Sequence, residues 1–233
     1  MSKIILSLEN DLQKSRSLLS DVREDIGMIQ ISSQMLLKYG DEALSLSKEF
    51  SIPLFLDLKL NDMPSSVQET IHILGQKLSG YHYPHLLSIH CFGGKNMCKT
   101  AVNAAAIYDI GIVGVGIMNS IETRDLYSFG GRDGRVGPRS IELNLRVSRE
   151  GGVKNFMCGA EQVKLTRQYF KDAQIIATGI REPGEDFNDH LRVKPINFAL
   201  KNGANWVLIG RPIHNFFSPQ QAVSRLKLQS DRY

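Results

Sequence analysis

Short apolar runs alternate with longer amphipathic stretches from one end of the chain to the other. Ile4 to Leu8 and Met28 to Ile31 have strand length, and between them Asp11 to Val22 sets Leu12, Leu18, Leu19 and Val22 at helical spacing. The pattern predicts a helix around Met35 to Phe50 and then a third strand from Ile52 to Lys59. Ser65 is the predicted cap of the next helix, whose inner face carries Val67, Ile71, Ile73 and Leu74. Leu86 to His90 reads as a fourth strand, Gly93-Gly94 as the opening of an alanine-rich helix, and Ile110 to Met118 as a fifth strand. Phe129 to Pro138 is polar and glycine-rich, which marks a loop. Asn155 to Met157, Gln174 to Ala177 and Trp206 to Ile209 supply the last strands, separated by helices at Gln162 to Phe170 and Pro195 to Asn202. Strand–helix alternation repeated about eight times is the pattern of a (β/α)8 TIM barrel. A doubly wound open sheet is the rival, but the strand count and the lack of a G-x-G-x-x-G turn after the first strand argue against it. No linker or low-complexity run breaks the pattern, so residues 1–233 are expected to form one α/β domain.

The third strand carries the charge. Residues two apart on a strand share a face, so Asp57 and Lys59 project side by side, with Asp62 three residues on and Pro64 blocking continuation. If Leu54, Leu56 and Leu58 face covering helices, the charged face looks into the barrel. Two carboxylates around one ammonium are costly to desolvate, and folds keep such groups mainly where chemistry uses them. An edge strand ending in solvated charges would show the same D-x-K-x-x-D spacing.

Composition narrows the field. With 233 residues, 42% hydrophobic and 22% charged, the chain is long enough for one large core. A formal charge of +4 with no basic run gives no argument for nucleic acid and is compatible with an anionic small molecule. Cys91, Cys98 and Cys158 are odd in number and lack metal-ligand clustering, which points to a reducing compartment. No apolar stretch approaches membrane-spanning length, and Met1-Ser2-Lys3 leads at once into a strand-like run, so no membrane partner and a cytoplasmic location are expected.

In a barrel of this kind chemistry sits at the C-terminal strand ends, and phosphate commonly binds at the loops after the last two strands. Thr178-Gly179-Ile180-Arg181 follows the seventh strand and Ile209-Gly210-Arg211-Pro212 the eighth. Glycine lets backbone N–H groups approach an anion, and Arg211 can grip phosphate oxygens bidentately. An isolated strand-end glycine is usually only a turn residue. Two such turns with an arginine, at the two expected loops, point to a small phosphorylated substrate.

These motifs, taken in order, resemble the orotidine 5′-monophosphate decarboxylase family over nearly the whole chain. Phe55-Leu56-Asp57-Leu58-Lys59-Leu60-Asn61-Asp62-Met63-Pro64 is similar to the family's central D-x-K-x-x-D-x-P strand. Ile89-His90-Cys91-Phe92-Gly93-Gly94 resembles its fourth-strand His and Gly-Gly, and Asn119-Ser120 falls where the family has Thr-Ser. Thr178 to Arg181, Asp189 and Ile209 to Pro212 match its phosphate half. The resemblance implies decarboxylation of orotidine 5′-monophosphate to uridine 5′-monophosphate in pyrimidine synthesis. Lys59 would protonate C6 of the pyrimidine, Asp57 would lie beside the departing carboxylate, and Asp62 would enter the neighbouring site of a homodimer. Ser66 is grouped with the substrate-binding positions, Ser120 would bond the pyrimidine amide, and Gly179, Arg181, Gly210 and Arg211 would face the phosphate. No metal or organic cofactor is implied.

The same comparison exposes departures. Ser7 stands where the family has an Asp at the end of the first strand, and Gln30 where it has a Lys at the end of the second. In the family these two groups contact the ribose hydroxyls, and the Lys completes an alternating Lys-Asp-Lys-Asp network. With Gln30, the group Asp57, Lys59 and Asp62 has a formal charge of −1 instead of zero. Losing a buried charge partner costs on the order of 3–5 kcal/mol, and one carboxylate is expected to respond by holding a proton. The family's phosphate-contacting Gln falls at Pro183, and Glu182 to Asn188 is acidic for a phosphate lid. Three readings stand: a decarboxylase with weaker ribose contacts, a diverged enzyme for another phosphorylated substrate, and a nucleotide-binding dimer with weakened or lost catalysis. His90 is expected to be a hydrogen-bonded interior residue. Glu122 and Asp125 are expected on a solvated helix face, and Arg132, Arg135 and Arg139 on the glycine-rich loop.

Overall fold

Eight parallel strands close into a barrel in chain order: β1 (Ile4–Ser7), β2 (Met28–Ser32), β3 (Leu54–Leu60), β4 (His85–His90), β5 (Ile110–Val115), β6 (Asn155–Gly159), β7 (Gln174–Thr178) and β8 (Trp206–Ile209). Pairing of Ile5 with Leu208 closes the ring. The computed structural model describes residues 2–118, 120–121 and 138–230; Asn119, Glu122, Asp125, Arg132 and Arg135 lie outside them.

Strand alternation sorts the side chains into two cores. Ile4, Leu6, Ile29, Ile31, Leu54 and Leu56 point outward beneath the helices and are fully buried, with Leu58 half-buried against the same cluster. Ile5, Met28, Phe55, Val113, Met157 and Ile176 point inward and plug the barrel. Two residues further along the same strands, the inward positions become Ser7, Gln30, Asp57 and Thr178. A period of two thus sets a polar layer directly above an apolar one. The predicted direction of the charged face is the observed one.

The helices follow the pattern with instructive exceptions. Leu12–Val22 begins at Asp11, whose carboxylate accepts from the Lys14 amide at 3.0 Å. The expected helix over Met35 to Phe50 is two, Ser33–Tyr39 and Asp41–Glu49, because Gly40 takes φ +53° and a helix cannot run through a left-handed residue. The helix after β3 runs Pro64–Leu78 without a side-chain cap, and Ser65 stands exposed in its first turn. Proline at the first helical position has no N–H to satisfy, which lessens the need for a cap. Ile73 is 47% exposed, and Gly75 and Leu78 complete the inner face in its place. A Cβ at Gly75 would lie 2.3 Å from the Tyr108 ring, so the missing side chain is what admits that ring. β5 stops at Val115, short of Met118, and an amphipathic helix at Pro138–Glu150, which contains Arg139, occupies a stretch the apolar pattern leaves unassigned. Among the described residues no helix is long and apolar enough to cross a membrane.

All three cysteines are free and buried. Burial pushes the Cys91 thiol up to about 12 and the Cys158 thiol up to about 11. The thiolate is the reactive form, so at pH 8 a disulfide reagent is expected to leave the native protein unmodified and to titrate three thiols in denaturant. Fast reaction of a native thiol would contradict this packing.

Candidate active site

The C-terminal end of β3 departs from ideal strand geometry. The pairing of β3 with β4 shifts register between Leu56 and Leu60, and Lys59 has φ +49°. A left-handed conformation costs a residue with a long side chain about 1–2 kcal/mol, and persists where its surroundings over-determine it. Here the Lys59 amide donates to Ser88 Oγ at 2.8 Å. Ser88 Oγ in turn donates to Asp57 Oδ1 at 2.8 Å, and Lys59 Nζ donates to Asp57 Oδ2 at 2.6 Å. Gln30 Nε2 reaches the same oxygen at 3.2 Å. Asp57 is thus a buried carboxylate with three donors, while the Lys59 side chain keeps a third of its surface exposed.

Asp57 and Lys59 open onto a cavity of about 280 Å³ whose wall also includes Ser120, Met157, Asp189 and His190. A second cavity of about 220 Å³ adjoins it through the shared residues Thr178, His190 and Leu208, and is bordered by Ser7, Gly179, Arg181, Gly210 and Arg211. A larger hollow of about 340 Å³ shares Arg181 and Arg211 but contains neither Asp57 nor Lys59. The paired smaller cavities bring the candidate residues together: an apolar-walled chamber over an ion pair, next to a chamber lined by two strand-end glycines and two arginines.

The arginines differ. Arg181 is buried, and its guanidinium donates to the carbonyls of Asp186 at 2.8 Å and Ile180 at 2.7 Å and to Asn188 Oδ1 at 3.3 Å. Its main office is therefore to hold the loop after β7. Arg211 is part-exposed and pairs with Asp189, whose carboxyl is held below the usual range first by that bond. Exposed pairs of this kind contribute about 0–1 kcal/mol, so little free energy holds Arg211 to Asp189. The acidic loop carries its own partners. Glu182 Oε1 accepts from the Ile196 amide at 3.0 Å, Glu185 Oε2 from the Glu182 amide at 2.9 Å, and Asp186 Oδ1 from the Asn188 amide at 2.8 Å. These carboxylates are tied into the loop by backbone amides, so the acidic sequence is accounted for by the loop's own hydrogen bonds.

The remaining sequence-derived positions are distributed unevenly. Ser7 and Gly210 are neighbours, a Cβ at Gly210 meeting Ser7 Cβ at 3.1 Å, and His214 holds the Ser7 carbonyl at 2.6 Å. Gln30 is buried and touches Asp57, and its Oε1 has no hydrogen-bond partner among the described residues. Ser66 is exposed on the helix after β3 and lines neither chamber. Asp62 is also exposed, its carboxylate accepting from the Met63 amide at 2.6 Å. Among the described residues of one chain the ammonium therefore has a single carboxylate partner, Asp57. His90 departs from the expected hydrogen-bonded interior role: it stacks on Phe92 at 5.2 Å, and its buried Nδ1 lacks a partner among the described residues. Burial first, and then the Lys59 charge, lower its pKa and keep the ring neutral.

Two residues of the site escape a reading of motifs. Ser88 belongs to the inward set Leu86-Ser88-His90, and a lone serine within the strand Leu86-Leu87-Ser88-Ile89 was the available signal. His190 arrives on a loop, and no periodicity marks it.

Similarity to known proteins agrees with the barrel fold. A family model described as Orotidine 5′-phosphate decarboxylase / HUMPS family matches residues 2–226. The chain is 30% identical over 205 residues to an orotidine 5′-phosphate decarboxylase of Ehrlichia chaffeensis, covering 87% of this chain and 85% of that protein. It is 28% identical over 225 residues to the protein of that name from the Wolbachia of Brugia malayi, covering 96% of each. The fold superposes on the crystal structure of orotidine 5′-phosphate decarboxylase from Lactobacillus acidophilus with a TM-score of 0.80 at 19% identity, over 99% of this chain and all of that one. With the family model matched over nearly its whole length, the chain belongs to the orotidine 5′-phosphate decarboxylase / HUMPS family.

Proposed function

We propose that this protein decarboxylates orotidine 5′-monophosphate to uridine 5′-monophosphate in the cytoplasm, as a step of pyrimidine nucleotide synthesis. The observation that carries the reading is the Lys59 ammonium held 2.6 Å from the buried carboxylate of Asp57, at the wall of a chamber that adjoins a glycine–arginine phosphate chamber. The phosphate is gripped by Arg211 and the backbone at Gly179 and Gly210, and the pyrimidine lies in the larger chamber with Ser120 on its amide. The substrate carboxylate then faces Asp57, where like charge disfavours the bound ground state. As the C6–carboxylate bond breaks, carbon dioxide leaves and its electron pair remains on C6. Lys59 delivers a proton there. Phosphate binding far from C6 supplies energy that is realised in the transition state. No metal or organic cofactor is required.

The working unit in this reading is a homodimer in which each copy lends Asp62 to the other's Lys59. Exposure of Asp62, with Met63 at 68% and Phe92 at 53% exposed near the same strand ends, supports it. Ser7 and Gln30 receive the ribose hydroxyls, and Gln30 Oε1, unpaired among the described residues, is an acceptor suited to one.

A direct assay of carbon dioxide release from orotidine 5′-monophosphate tests the reading. No turnover, with uridine 5′-monophosphate still bound, would replace it by a diverged enzyme or a binding protein, the readings that the neutral Gln30 favours. Gln30→Lys is the accompanying prediction. A charged donor on a buried carboxylate outweighs a neutral one by roughly 1–2 kcal/mol. We therefore expect kcat/KM to rise about tenfold. No change or a loss would show that the site is adapted to a different ligand.

A further inference from the structure

We propose that Ser88 is the positioning residue that sets the proton donor against its carboxylate, an inference that rests on the decarboxylase reading. Its hydroxyl is fully buried, at 0% exposure, and joins both members of the pair. It accepts from the Lys59 amide at 2.8 Å and donates to Asp57 Oδ1 at 2.8 Å. A hydroxyl has one proton to give and lone pairs to receive with, so it can do both at once. A methyl or an amide NH₂ in that place could not. The bond to the Lys59 amide matters because β3 has left its regular pairing with β4 there, and Lys59 sits at φ +49°. Ser88 supplies the amide with an acceptor at the point where the register shifts. The bond to Asp57 turns the carboxylate so that Oδ2 faces Lys59 Nζ and Gln30 Nε2.

The arrangement also explains how Asp57 tolerates the neutral Gln30. Two uncharged donors, Gln30 Nε2 and Ser88 Oγ, flank the single cation on the carboxylate. Orientation that one charged neighbour could impose is here imposed by two hydrogen bonds from adjacent strands, β2 and β4.

The test uses Ser88→Ala, which removes only the hydroxyl oxygen, and Ser88→Thr, which keeps it. A misplacement near 1 Å can cost about 10²-fold in rate. Ser88→Ala is expected to lower kcat 10- to 100-fold, with KM for orotidine 5′-monophosphate within about threefold of wild type. Ser88→Thr is expected to recover most of kcat. An unchanged kcat in the alanine variant, or equal losses in both variants, overturns the proposal. Crystal structures of the wild type and Ser88→Ala read the same point without turnover. Lys59 is expected to leave the left-handed region or to lose its bond to Asp57. An unaltered Lys59 overturns the proposal. A wild type with no decarboxylase activity would defeat the functional reading alone, and the crystallographic arm would still decide the role of Ser88.

Discussion

Replacing Lys59 by alanine is expected to lower kcat/KM for carbon dioxide release by about 10⁴-fold, the upper end of what a positioned general acid contributes. Two effects combine. The proton donor is lost, and Asp57 remains buried without its cation, facing a substrate carboxylate of the same sign. The protein should still fold, because Asp57 keeps the hydrogen bonds from Gln30 and Ser88 and the Lys59 side chain was already one-third exposed. Circular dichroism and a thermal melt check that point. Lys59→Arg should rescue little, since a guanidinium does not give up its proton near neutral pH. Near-normal turnover in Lys59→Ala would remove the ion pair from the mechanism altogether.

Arg211→Ala is expected to raise KM for orotidine 5′-monophosphate by about 10²- to 10³-fold, with a smaller fall in kcat. Each hydrogen bond between a guanidinium and a charged oxygen is worth roughly 1.5–3 kcal/mol, and Arg181 cannot substitute because the loop after β7 engages its donors. Removing Arg211 also strands Asp189 beside the phosphate. Asp189→Asn added to Arg211→Ala should therefore regain part of the loss, and this partial recovery separates electrostatic repulsion from a damaged loop. Steady-state kinetics on both variants measure the effect. Orotidine without its phosphate serves as the control, because its turnover should be indifferent to Arg211→Ala. An equal loss with orotidine would mean that Arg211 supports the fold of the site and not the phosphate.

Local pattern was readable where one periodicity governed the outcome. Strand alternation places Leu54 and Leu56 outward and Phe55 and Asp57 inward, and the barrel has them so. The pattern was less reliable where backbone conformation decided. Nothing in the spacing of Met35 to Phe50 announces that Gly40 breaks the helix, and an apolar residue at 73 reads as core while facing solvent. Arg181 looked like an anion ligand from its place in the chain, but its donors are directed at Ile180, Asp186 and Asn188, a choice made by the fold of a loop.

Chain chemistry alone determined the barrel, the placement of Asp57 on its inner face, and the glycines at the ends of β7 and β8, because each follows from short-range periodicity or from residue type at a strand end. Only tertiary structure decided the partners. Ser88 meets Asp57 and Lys59 from 31 and 29 positions away in the chain, and Gln30 meets Asp57 from 27. Such pairings depend on the register between neighbouring strands, and on a bulge at the end of β3 that no local pattern encodes. Hydrogen bonds between strands are set by where the backbones fall against one another, and that is a property of the closed barrel.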